Sequence, residues 1–280
     1  MEQVLQKLGV PRPAPDLEGL RAVYAAWCLA VPFDNVRKMI ALRTPGAILP
    51  GIPAEDFFER WLADGTGGTC WPGSNALHDL LRALGFETRR LAASMRDTGV
   101  LSHGSAVVRL EGQDWVVDSS MLTNEPLPLA DGVFLGRDPL IGAEVERDPD
   151  GSYLVWTHFP PGPEPIPCRL LVDPAPAELY AARYEASRQQ SPFNHRLHAR
   201  RNRPGELLVI IGSTRYSKTA DGLAARELSR QELLAALREE IGLSAAAVNA
   251  WVASGSLEES LQPPSGPKPP AATRKPPTQR

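Results

Sequence analysis

The spacing of apolar residues changes sharply at Gly85, and no other feature limits the fold of this chain as much. Before that point they recur at helical intervals: Leu20, Val23, Tyr24, Trp27 and Val31 behind Asp16, then Phe57, Phe58, Trp61 and Leu62 from Ala54, then Leu77, Leu80, Leu81 and Leu84 beyond Cys70. Asp16 is a good N-cap, Pro32 stops the first run, and Gly85 suits a left-handed C-cap for the third. Three helices therefore occupy roughly the first third. From Phe86 the pattern becomes short runs separated by Gly, Pro and Asp: Thr88 to Ala93, Ser105 to Leu110, Trp115 to Val117, Tyr153 to Thr157 and Cys168 to Val172. These predict an antiparallel sheet or barrel in the middle third.

The last third mixes strands, Leu207 to Ile211 in particular, with one well-marked helix. Ser229 and Glu232 form a capping box, Leu233, Leu234, Leu237 and Ile241 the stripe, and Gly242 the stop. Beyond Leu261 the chain is rich in proline, lysine and arginine, and this tail is expected to be a disordered, solvated extension. No internal repeat is present.

At 280 residues and 42% hydrophobic the chain can bury a sizeable core. Its 30 Lys+Arg against 33 Asp+Glu produce no global field that would steer it to nucleic acid or an anionic membrane. The segment from Met1 to Lys7 lacks the features of a secretory signal and no apolar stretch is long enough to span a bilayer, so a cytoplasmic location is expected. Three cysteines, at 28, 70 and 168, are an odd and widely spaced set that fits free thiols rather than a disulfide framework or zinc site. Histidines and carboxylates do not cluster as a metal would require.

Cys70 ends the run Gly65-Thr66-Gly67-Gly68-Thr69 and stands at the mouth of a helix. A thiol titrates near pH 8.5 by itself, so a catalytic cysteine needs help in holding negative charge. A helix N-terminus offers unpaired N–H groups and a positive dipole end, and a paired imidazolium adds a larger effect. His103 opens a strand that is followed by the turn Glu111-Gly112-Gln113-Asp114 and a return strand ending at Val117-Asp118. With an even number of residues in the turn, His103 and Asp118 share one face of the hairpin. Asp118 can then hold one ring nitrogen while the other takes the Cys70 proton.

The remaining candidates have plainer expectations. Cys28 and Cys168 lie on apolar stripes and are expected to pack. His78, about two turns beyond Cys70, is expected to be exposed, and His158 to sit in a loop. His195 and His198 stand among Arg196, Arg200 and Arg201, a basic cluster that could meet phosphates but is expected to be a solvated strand face.

At these residues the chain resembles the arylamine N-acetyltransferase family. Val31-Pro32-Phe33-Asp34-Asn35 is similar to that family's Pro-Phe-Glu-Asn segment, and Gly67-Gly68-Thr69-Cys70 to its Arg-Gly-Gly-aromatic-Cys motif. Leu81 to Phe86 matches the end of the following helix. His103 and Trp115-Val116-Val117-Asp118 fall at the family's His and Asp, and Pro126-Leu127-Pro128-Leu129 resembles a later segment. Ser191-Pro192-Phe193 and the helix from Ser229 to Gly242 extend the likeness, collinear over most of residues 1 to 245.

The resemblance implies an α+β fold with a papain-like Cys-His-Asp core in three parts. These are a helical bundle with the nucleophile (1–86), a β-barrel with His103 and Asp118 (87–190) and an α/β lid (191–261), followed by the tail (262–280). It implies Cys70, His103 and Asp118 as catalytic residues, and Phe33, Ser102 and Met121 as substrate-binding ones. It also implies a ping-pong cycle with no bound cofactor: acetyl-CoA, the cosubstrate, acylates Cys70, and an arylamine or hydrazine takes the acyl group.

Departures lie close to the thiol. Thr66 replaces the family's Arg, Thr69 an aromatic, Pro72 a Glu or Gln, Ser74 an Asn, and Ser119-Ser120-Met121-Leu122 the family's Val-Gly-Phe-Gly. They leave room for two alternatives: an amide synthase of the same family, fed by an acyl carrier protein, and a transglutaminase-like amidase. Neither nucleic acid nor membrane is expected as a partner.

Overall fold

The structure, a computed structural model, describes residues 1–263. Helices α1 (Glu2–Leu8) and α2 (Leu17–Ala30) open the chain, and the Asp16 carboxylate accepts the Gly19 N–H at 2.8 Å to cap α2 as expected. A two-residue strand, β1 (Phe33–Asp34), leads into α3 (Val36–Arg43), and α4 (Ala54–Asp64) and α5 (Cys70–Ala83) follow. Trp27, Phe57, Trp61, Leu77, Leu80 and Leu81 of α2, α4 and α5, the three helices expected from the spacing, meet in one buried core.

After Gly85, at φ 96°, the chain turns into strands β2 (Glu87–Met95), β3 (His103–Leu110), β4 (Gln113–Val117), β5 (Leu127–Pro128), β6 (Val133–Leu135), β7 (Glu144–Arg147), β8 (Tyr153–Thr157) and β9 (Ile166–Pro174). They form one antiparallel sheet in the order β5-β4-β3-β2-β9-β8-β7-β6, curled into a nearly closed barrel. Strand β3 is buried on both faces. Val107 points into the barrel core with Leu91, Val116, Val155 and Leu170, whereas Ala106 and Val108 pack on the helical core with Leu77 and Leu80. A strand covered on both sides loses polar alternation, which is why Ala106-Val107-Val108 is continuously apolar.

Helix α6 (Ala177–Ala186) crosses back to the bundle, and its Tyr180 hydroxyl reaches the carbonyls of Leu91 and Ser105. A second antiparallel sheet then forms from β10 (His198–Arg203), β11 (Glu206–Ile211), β12 (Thr214–Thr219) and β13 (Gly222–Glu227), with β1 on its edge beside β10. Helix α7 (Arg230–Ala236) has the expected capping box, but its last turn, Leu237–Ile241, widens to π-helical hydrogen bonding before Gly242 stops it at φ 93°. Helices α8 (Ala245–Ala253) and α9 (Ser256–Leu261) pack Trp251 and Leu257 against Val36 and Met39 of α3 and Leu208 and Ile210 of β11.

The tail from 264 onward, with the disorder expected of it, lies outside the described residues. Among those described, no helix is long and apolar enough to cross a membrane.

Candidate active site

The glycine run is held from behind by β1. Asp34 accepts the Gly67 N–H at 2.6 Å through Oδ2 and the Val36 N–H at 3.0 Å through Oδ1, so one carboxylate fixes both the loop before Cys70 and the first turn of α3. A Cβ on Gly67 would fall 1.8 Å from the Pro32 carbonyl oxygen, and only glycine allows this approach. Burial pushes the Asp34 carboxyl up to about 6 despite the two backbone donors. Asn35 then joins the loop to the second sheet: its Nδ2 donates to the carbonyls of Phe193 and Arg196, and its Oδ1 accepts from His198.

The hairpin places histidine and aspartate as the sequence requires. Its turn is the two residues Glu111-Gly112, and Ala106 pairs with Val117; continuing that register sets Asp118 opposite Ser105, with His103 one same-face position further on. His103 Nε2 lies 2.7 Å from Asp118 Oδ2, and both side chains are buried. The other carboxylate oxygen accepts from Ser120 N–H (2.9 Å), Ser120 Oγ (3.0 Å) and Met121 N–H (2.8 Å). Burial works against this charge, but the His103 imidazolium and the backbone donors hold the Asp118 carboxyl down at about 2. Burial likewise opposes the imidazolium, and the Asp118 carboxylate outweighs it, keeping His103 titration well above its ordinary range. The turn closes with Leu122 at φ 50°, a left-handed conformation that a leucine adopts at a cost and that its full burial in the helical core offsets.

Helix α5 brings Cys70 to the same strand. Ser74 Oγ donates to the Gly104 carbonyl at 2.7 Å, and a Cβ on Gly104 would stand 2.8 Å from the Trp71 ring, so helix and strand are in close contact. Cys70 Sγ lies 3.8 Å from the carbonyl oxygen of Ser102, the residue before His103. Among the described residues His103 Nδ1 has no hydrogen-bond partner, and an ionised Cys70 would favour the imidazolium. Cys168 acts on His103 in the same direction, but burial pushes its thiol up to about 12 and keeps it neutral. Cys28 is buried in the helical core, so both of these cysteines pack as expected.

Lys38 was not singled out in the sequence. It is 2% exposed, its Nζ donates to Ser187 Oγ at 2.8 Å, and the ammonium lies over the Tyr184 ring, 5.6 Å from its centre. Burial pushes it down to about 8, with the Cys70 charge pulling the other way. A lysine in a helix ordinarily faces water; here α3 packs Val36 and Met39 on one core and Ala41 on another, so the face between them is covered too. No sequence signal marked this.

Of the other expected binding residues, Ser102 is exposed, and Phe33 is buried edge-on against Phe193, their centroids 5.1 Å apart. Met121 has its side chain in the barrel core and its N–H on Asp118. Two expectations need correction. His78 is buried, not exposed, because it bonds Asp79 at 2.8 Å, and Asp79 in turn is paired with Arg90 at 2.9 Å. The basic cluster is not a solvated face: Arg200 is buried against Phe159 and Asn202, His198 packs on Phe193, and Arg201 donates to the Ile241 carbonyl. Only His195 is exposed, on Glu259. Among the described residues no three His, Cys, Asp or Glu side chains gather as a metal site would need.

The N-acetyltransferase family model matches residues 16–132, the stretch holding the glycine run, Cys70, His103 and Asp118. Proansamycin X synthase of Amycolatopsis mediterranei (strain S699) is 30% identical over 125 residues, 42% of this chain and 46% of that protein. Arylamine N-acetyltransferase of Mycolicibacterium smegmatis is 33% identical over 89 residues, 31% of this chain and 30% of that protein. The chain thus aligns with less than half the length of these curated relatives. A crystal structure of a cysteine-to-glutamine variant of Mycobacterium smegmatis arylamine N-acetyltransferase superposes with a TM-score of 0.80, covering 93% of this chain and 98% of that one at 20% identity. Mycobacterium marinum arylamine N-acetyltransferase in complex with CoA superposes at 0.78, covering 93% and 97% at 17% identity. Residues 16–132 thus match the N-acetyltransferase family model, and over nearly all of its length the chain has the fold of the arylamine N-acetyltransferases.

Proposed function

We propose that this protein is an acyltransferase that moves an acetyl or short acyl group from acyl-CoA, through a Cys70 thioester, to the nitrogen of an arylamine or hydrazine. The observation that carries this reading is the buried His103–Asp118 pair, 2.7 Å apart, on the strand whose preceding carbonyl lies 3.8 Å from the Cys70 thiol. Asp118 orients the ring through Nε2, and His103 Nδ1 takes the Cys70 proton. The thiolate attacks the thioester carbonyl, the carbon–sulfur bond to CoA breaks, and the departing thiolate recovers the proton from His103. The amine then attacks the acyl-cysteine, its proton passes to His103, and Cys70 leaves as thiolate. Backbone N–H groups at the start of α5 face the developing oxyanion. Exposed Ser102 lies at the acceptor's entrance, Phe33 and Met121 stand behind the site as its walls, and the second sheet with α7 to α9 serves as the lid.

Initial velocities with acetyl-CoA and an aromatic amine varied together test the cycle. Parallel double-reciprocal lines are expected; intersecting lines contradict a free acyl-enzyme.

The likeness to Proansamycin X synthase favours one second reading, an amide synthase that takes its acyl chain from a carrier protein. Acylation of Cys70 by an acyl carrier protein but not by acyl-CoA supports that reading over the first. Ammonia release from a glutamine peptide without either donor points to the transglutaminase-like amidase instead.

A further inference from the structure

We propose that Tyr24 is a positioning residue for Asp118, its hydroxyl fastening to helix α2 the turn that carries the carboxylate. This rests on the acyl-cysteine reading above and adds a residue to it. Asp118 meets His103 through its side chain, but its own place is set by the turn that follows β4. Three bonds hold the carboxylate to that turn: Ser120 N–H, Ser120 Oγ and Met121 N–H donate to Oδ1 at 2.9, 3.0 and 2.8 Å. The carboxylate therefore moves as the turn moves.

From the side of the helices one oxygen atom holds this turn. Tyr24 Oη accepts the Asp118 N–H at 3.0 Å and the Thr123 N–H at 3.3 Å. Its single proton goes either to the Asp118 carbonyl, 2.9 Å away, or to Thr123 Oγ1, 3.0 Å away, and Thr123 Oγ1 itself donates to the Glu125 carbonyl. Either way the hydroxyl ties Asp118 to the far end of its turn and both to α2. Tyr24, Asp118 and Thr123 are all buried, so these groups depend on one another for partners. Leu20, Val23 and Trp27 of the same helix face pack in the apolar core, where a phenylalanine would serve as well as a tyrosine. The hydroxyl is the part that packing does not require.

Strand β10 holds the same turn from the other side, but farther along. Asn202 Nδ2 donates to the Leu122 carbonyl at 2.7 Å, and Arg200 Nη1 to the Ser120 carbonyl at 3.4 Å. Those bonds fall on later residues, whereas the bonds of Tyr24 fall on Asp118 itself. Without the hydroxyl the start of the turn is free to shift, the 2.7 Å bond from Asp118 to His103 loosens, and the ring is less well held as proton acceptor. The groups that face the ring are Asp118, Cys70 of α5 and Cys168 of β9, and Arg200 is the cation that acts on Asp118. Removing the Tyr24 hydroxyl alters none of them chemically, so a change at His103 reports the turn.

Ring-labelled histidine in the full chain, with the His103 signal assigned by its absence in His103→Gln, reads that change by NMR without any acyl donor. Tyr24→Phe is expected to move the His103 titration about one pH unit down, and to cut kcat by on the order of tenfold with KM for both substrates unchanged. Val23→Ala, a truncation of the buried neighbour on the same helix, should destabilise the core and leave the His103 titration where it is. A Tyr24→Phe protein with the His103 titration of the unmodified one, or an equal shift in Val23→Ala, overturns the proposal and leaves the acyltransferase reading intact. Absence of acyl transfer in the unmodified protein overturns that reading, and the NMR comparison still decides whether Tyr24 holds the pair. Should Tyr24→Phe not fold, the unmodified protein decides. The Tyr24 hydroxyl proton should be visible in water with a cross-peak to the Asp118 amide, and its loss to solvent exchange overturns the proposal.

Discussion

Asp118 uses one oxygen on His103 and places three donors on the other, so its ionised state is fixed from both sides. Asp118→Asn should keep the turn but lose the carboxylate that orients and charges the ring, and kcat should fall by about a thousandfold or more. Stability should also depend on pH in a specific direction. His103 is held above its unfolded titration near pH 6.5, so its contribution is complete below that pH and is lost as pH rises through the folded value. Asp118 is held at about 2, so its contribution is complete above its unfolded value and is lost as pH falls toward 2. In urea titrations the losses above about pH 6.5 and below about pH 4 should diminish in Asp118→Asn, while Asp34, held up at about 6, adds a fall in stability as pH rises between about 4 and 6 in both proteins. The His103–Asp118 contact and the place of Cys70 at the start of α5 were legible, because a turn of even length and a helix mouth suffice to set them. Lys38 was not, since a helical lysine ordinarily signals solvent. Nor was the nearness of Cys168 to His103, which depends on β9 pairing with β2, far apart in sequence.

At the scale of elements, the periodicity identified α2, α4, α5 and the strands later seen as β2, β3, β4, β8, β9 and β11, with ends displaced by a few residues. Strand β3 opens at His103, as the sequence reading had it, two residues ahead of its apolar run, and His103 pairs there with Ala93. Strand β1 was invisible: two residues carry no period, and their partners, Ala199 and Arg200, lie in the last third. The loop before α5 depends on the close approach at Gly67. Gly67→Ala should cost at least about 2 kcal/mol in denaturant unfolding, because the Pro32 carbonyl cannot give way without breaking the Asp34 bonds. An unchanged midpoint would show that the loop is looser than this packing implies. Leu122 stands where the family resemblance has a glycine, and its backbone is left-handed, a conformation that the sequence did not announce for a leucine.

Across the whole molecule, Cys70 and Lys38 lie on helices that precede the first sheet, His103 and Asp118 on and beside a hairpin of that sheet, and the second sheet is joined to the start of α3 through Asn35 and β1. The passage from helices to strands could be read from the change of period at Gly85. The crossing of β1 into the last sheet could not, because no local feature announces a pairing across so much chain. Asn35→Ala removes three hydrogen bonds that tie the start of α3 to residues 193–198, the segment that leads into β10, and should cost about 3 kcal/mol of stability while speeding hydrogen exchange in β10 more than in β3. Equal exchange in the two strands would show that the sheet is held by other contacts. The claim beneath all of these is that Cys70 carries the acyl group. Incubation with acetyl-CoA without an acceptor, followed by intact and peptide mass spectrometry, should yield one acetyl group, on Cys70, discharged when an aromatic amine is added and absent in Cys70→Ala. An unmodified Cys70 with every acyl donor offered, CoA-bound or carrier-bound, or an acetyl group that persists in Cys70→Ala, would contradict it.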